Sequence, residues 1–187
     1  MSKSSIVNTV KVVSALATPV TVSFSHCPMV FDLQPEGSFE VTEKTPPEGY
    51  IEAVFDSYEG RPILWVHGWE SGETEISING VSQDVPLCTR NNQPDFRLKG
   101  WPDGRPEAPA VTGLFVSDER TEGDNRIDVE DSGTVTSHAN PPKQPIWYSG
   151  ASINGGPPTL ILHDDGLRII GAHSQVVTEA GAADDRK

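Results

Sequence analysis

Pro62-Ile-Leu-Trp-Val-His-Gly-Trp69 alternates two kinds of side chain with a period of two. Successive side chains leave an extended strand on opposite faces, so Leu64 and Val66 share one face while Trp65, His67 and Trp69 share the other. The segment therefore predicts a β-strand with an ordinary aliphatic face and a second face of ring, imidazole and ring. Two uses of the second face compete: the rings fill the space between two sheets, or they meet a partner or ligand. In the second case the indole faces supply contact area and the imidazole supplies a directed hydrogen bond to a sugar hydroxyl or a partner backbone.

Working outward, the neighbouring stretches repeat the same period. Val20, Val22 and Phe24 alternate with polar residues behind Pro19, which fits the first position of a strand because no ladder hydrogen bond is lost there. Residues 6–16 and 50–55 read as further strands, the second following the Pro46-Pro47 break. Thr74 to Val85 carries Asn79-Gly80, a hairpin signal because both residues tolerate positive φ. Phe31 to Val41 holds a Pro35-Glu36-Gly37 turn and reads as a hairpin or a corner between sheets. Strand signals recur about every ten residues from position 6 to 85, and no helical i, i+3, i+4 spacing is sustained there. The expected fold is all-β: an antiparallel β-sandwich, immunoglobulin-like or jelly-roll-like, with long irregular loops.

Residues 1–85 are expected to supply the core strands. Residues 86–142 read as an irregular region with one strand at 110–116 and an acidic, polar loop over 117–142 that offers little to a core. Trp101, between Gly100 and Pro102, is the bulky residue available to pin that region to the body. Residues 143–178 read as closing strands of the same domain, with a hairpin at Asp165-Gly166, and 179–187 as a disordered Ala, Gly and Asp tail. The Asn-Gly and Asp-Gly hairpins suggest two related sheets. The order of strand, Leu33-Gln-Pro-Glu-Gly37 turn and strand resembles bacterial immunoglobulin-like modules. That resemblance covers about the first 85 residues, lacks the Cys, Trp, Cys core of antibody domains, and carries over no functional residue.

Charge narrows the partners. With 14 basic and 27 acidic residues the formal charge is -13, which repels phosphate backbones and anionic headgroups. The expectation is no nucleic acid and no membrane insertion; the partner is another protein, further copies of this chain, or a carbohydrate. Residues 1–25 lack the apolar run of a signal peptide, so cytoplasmic synthesis is expected, with later release as part of a particle left open. In that compartment Cys27 and Cys88 are expected as free thiols rather than a bridge.

Chemistry-bearing motifs are sparse. Asp128-Val-Glu-Asp-Ser-Gly133 places oxygen donors at Asp128, Glu130 and Ser132 with Gly at the sixth position, a pattern that points to calcium, but position twelve is Ala139 rather than Glu. A solvated acidic loop is the plainer reading, with no cofactor. The five histidines have no metal-type spacing. His26 and Cys27 are adjacent, so a strand would send them to opposite faces and a thiol–base pair is excluded. No nucleophile elbow, phosphate loop or dinucleotide fingerprint occurs. The expected function is a non-enzymatic binding module using Trp65, His67, Trp69 and Trp101. The alternatives are a structural subunit of a virion or surface layer, and a hydrolase built on Cys27 or a carboxylate.

Overall fold

A computed structural model describes residues 6–25, 29–45, 50–68, 73–85, 113–120, 126–131, 134–139, 146–149, 157–170 and 175–178. In chain order the strands are β1 (Ile6–Ser14), β2 (Val20–Phe24), β3 (Val30–Leu33), β4 (Ser38–Thr45), β5 (Tyr50–Tyr58), β6 (Arg61–His67), β7 (Glu73–Ile78) and β8 (Val81–Ser82). They continue as β9 (Gly113–Asp118), β10 (Arg126–Asp131), β11 (Thr134–Ala139), β12 (Ile146–Ser149), β13 (Thr159–His163), β14 (Gly166–Ile170) and β15 (Gln175–Thr178). The described residues contain no helix. The strands form an eight-stranded sheet, ordered β11-β10-β14-β13-β1-β4-β7-β8, and a seven-stranded sheet, ordered β15-β12-β9-β5-β6-β2-β3.

The all-β expectation holds, but the sheets are mixed rather than antiparallel. Parallel neighbours are β1 with β13, β2 with β6, β5 with β9, and β10 with β14. Each parallel pair needs a crossover, and here the other sheet supplies part of it. Between β5 and β9, for example, the chain runs through β6 and then visits the eight-stranded sheet as β7 and β8.

The turns follow from local chemistry. Gly37 N donates to Gln34 O at 2.9 Å across Gln34-Pro35-Glu36-Gly37, and Glu36 takes φ 62°. This is a type II turn with proline at its second position and a non-glycine residue where positive φ is required. It carries the chain from the seven-stranded sheet into the eight-stranded one, so the corner, not the hairpin, is what forms. Asn79 (φ 49°) and Gly80 (φ 79°) make the tight β7–β8 turn that their sequence predicts. Asn79 also accepts from Ser38 N through its side chain at 2.9 Å, which ties that turn to the start of β4. The β13–β14 hairpin turns at Asp164-Asp165, because His163 already pairs with Gly166. Both hairpins belong to the eight-stranded sheet, so they do not mark two related sheets.

The core sits on the faces that alternation assigns. Val10, Val12, Phe39, Val41, Ile76, Ile127, Leu160, Leu162 and Ile169 come from the eight-stranded sheet, and Val20, Val22, Phe24, Ile51, Ala53, Phe55, Leu64, Val66, Leu114 and Val116 from the seven-stranded one. All join one hydrophobic cluster. Phe39 of one sheet meets Phe24 and Phe31 of the other with ring centroids 5.9 and 5.6 Å apart, both edge-on. The stretch read as an acidic loop contributes two of these strands, β10 and β11, and Ile127 is fully buried. Residues 86–112 and the tail 179–187 lie outside the described residues.

Candidate functional site

β6 lies inside the seven-stranded sheet, between β5 and β2. Leu64 and Val66 are 0% and 1% exposed and belong to the core cluster, whereas Trp65 and His67 are half-buried and lie on the other face. Register places one row across that face as Val54, Trp65 and Ser23, and the next begins with Glu52 beside His67. Ser25 extends this second row: its N donates to Val66 O at 3.0 Å, and its hydroxyl is hydrogen-bonded to His67 Nδ1 at 2.6 Å. Val54, buried to 4% exposure on this same face, shows that the face is not evenly wet around Trp65.

The imidazole is thus held in place by a serine that sequence reading passed over in favour of Cys27. Half of the signal was present: Thr21, Ser23 and Ser25 alternate with Val20, Val22 and Phe24, so Ser25 belongs on the outward face. The missing half was the parallel pairing of β2 with β6, which sets Ser25 beside His67. Trp69, Trp101, Cys27 and Cys88 lie outside the described residues.

On the inner side of the same end of β6 stands Glu43, a fully buried carboxylate. Phe39 and Val41 precede it on the inward face of β4, and register sets Asn8 and Thr74 on either side. Thr74 Oγ1 donates to Glu43 Oε1 at 3.4 Å. A β-carbon at Gly68 would overlap the Glu43 carboxylate, so Gly68 is the residue that lets β6 end against this acid. A buried carboxylate is tolerated only among donors, and this end of the core is accordingly polar.

A second buried carboxylate, Asp118, has a cation of its own. Arg120 Nε donates to Asp118 Oδ1 at 2.9 Å and Nη2 to Oδ2 at 2.7 Å, a two-pronged pair with the Asp118 side chain 0% exposed. Arg120 also lies 4.1 Å above the Phe55 ring, and its Nη1 donates to the carbonyl oxygens of His163 and Asp164 at 3.1 Å each. One guanidinium therefore ties the end of β9 in one sheet to the β13–β14 turn of the other. Neither residue stood out in the sequence, because Ser-Asp-Glu-Arg reads as part of an acidic loop.

The calcium candidates are placed differently from a loop site. Asp128 and Glu130 are two residues apart on β10, and Asp128 Oδ1 accepts from Arg126 Nε at 2.9 Å. Ser132 lies outside the described residues. Among the described residues no group of three or more His, Cys, Asp or Glu side chains is arranged to hold a metal ion. Among them, too, no helix is long and apolar enough to cross a membrane. No protein-family model, no curated protein and no solved structure matches this chain.

Proposed function

We propose that the chain is a non-enzymatic binding module whose two mixed sheets pack face to face as a sandwich and whose contact surface is the outward face of β6. The sandwich reading draws support from the single cluster that both sheets feed and from the meeting of Phe39 with Phe24 and Phe31. The observation that carries the functional reading is that Trp65 and His67 stand off the core while Leu64 and Val66 fill it. An indole is a rigid contact surface at low entropic cost, and the Ser25–His67 hydrogen bond fixes a polar group beside it. Binding works by burying the indole face and making a few directed hydrogen bonds. Carbohydrate and protein partners both fit that chemistry.

The test is a titration with a panel of soluble oligosaccharides followed by tryptophan fluorescence, alongside light scattering of the unliganded protein. The reading expects a monomer and a saturable change that Trp65→Ala removes while the circular dichroism stays that of a β-protein. It is overturned if Trp65→Ala and His67→Ala bind as the unmodified chain does. A stable oligomer that Trp65→Ala dissolves would instead make this face a subunit interface and favour the structural-assembly role.

A further inference from the structure

The eight-stranded sheet carries a shallow groove of about 190 Å³ around Gly166, in the other sheet from β6. Register builds it in two rows: Arg126, Gly166 and His163 in one, Asp128 and Arg168 in the next. The middle of the first row has no side chain by necessity. Gly166 has φ 152°, and a β-carbon there would collide with the Arg126 carbonyl oxygen. The wall of the groove is the Asp164-Asp165 turn, and it is held: Arg120, clamped by buried Asp118, donates to the carbonyl oxygens of His163 and Asp164.

The charges in the groove sort themselves. Arg126 and Asp128 form an ion pair at 2.9 Å and cancel each other. Arg168 and Asp165 remain; both line the groove, and neither has an ion pair or a side-chain hydrogen bond among the described residues. A half-buried guanidinium presents a fork that fits a carboxylate, and an exposed carboxylate presents acceptors that fit an ammonium. A simple dianion fits less well, because two aspartates line the groove and the chain as a whole carries a formal charge of -13.

We infer that this groove binds a small zwitterion of the amino-acid class, its carboxylate on Arg168 and its ammonium on Asp165. Gly166 lets the β10 backbone pack close beneath the groove, and the pinned turn keeps Asp165 in position before the ligand arrives. The groove is open, so binding is weak and exchange is fast. The inference does not depend on the aromatic face of β6.

The experiment is a titration of the isotope-labelled full chain with glycine, acetate and methylammonium, followed by amide and arginine side-chain resonances. Glycine should shift Gly166, Leu167 and the Arg168 guanidinium in a saturable way, and acetate and methylammonium should each bind at least about tenfold more weakly. Arg168→Gln should abolish the glycine response, and Asp165→Asn should reduce glycine to the level of acetate, with the remaining resonances unmoved in both. Should Arg168→Gln disturb the fold, Asp165→Asn alone decides. The inference is overturned by the absence of a saturable response, by acetate binding as well as glycine, or by glycine binding that is not weakened in either folded variant.

Discussion

Two residues show how much a single position carries. Glu36 is the non-glycine residue at the third position of a type II turn, with φ 62° and an exposed side chain. Holding an L-residue there costs about 1–2 kcal/mol, and glycine escapes that cost while losing some unfolded-state entropy in return. Glu36→Gly should therefore stabilise the protein by about 0.5–1 kcal/mol, read as a raised midpoint of urea unfolding with an unchanged slope. Asp118 is the opposite case. Its carboxylate is fully buried on the Arg120 fork, so Asp118→Ala strands a guanidinium that is 10% exposed. The expected loss is about 3–5 kcal/mol in the same unfolding measurement, whereas exchanging both partners for apolar residues should cost much less. An effect of Asp118→Ala below about 1 kcal/mol would mean that the pair is solvated, as surface pairs are.

At the scale of the element, β6 sets a core face and the proposed contact face on opposite sides of one strand. Leu64→Ala removes a side chain that is 0% exposed and should cost about 2–5 kcal/mol. Trp65→Ala, one position on, removes a half-buried ring outside the core cluster and should cost clearly less in the same thermal unfolding series. Equal losses would place the indole in the core and remove the basis for a contact face. Which residues share a face was legible from Pro62 to Trp69 alone, because period-two alternation states it; which of the two faces joins the core was not. The same alternation is present in Arg126-Ile-Asp-Val-Glu-Asp131, yet the stretch reads as a loop because its polar positions are all charged. Ile127, fully buried, shows that a charged outward face does not prevent an inward one. Alternation is silent about which strand lies next door. That is why Ser25 beside His67, and Arg120 beneath the β13–β14 turn, became visible only once the pairings were known.

At the scale of the whole molecule, the parallel pairs make distant segments depend on one another. β1 stands between β13 and β4, with Val12 opposite Leu160 on one side and Phe39 on the other. Without β1 the eight-stranded sheet separates into β11-β10-β14-β13 and β4-β7-β8, and each piece gains an unpaired edge beside what had been the centre of the sheet. The buried side chains of Val10 and Val12 leave the core at the same time. A chain beginning at residue 17 should therefore lose the cooperative unfolding transition altogether rather than shift it, and should aggregate through the exposed edges of β4 and β13. Supplying residues 1–16 as a separate peptide should restore part of the transition, since that strand's ladder is made with neighbours on both sides. Cooperative unfolding by the shortened chain alone would mean that β1 is an accessory to the sheet. Pairings this far apart in sequence also place the protein among slow folders, because the loop between Val12 and Leu160 must close before their contacts repay its entropy.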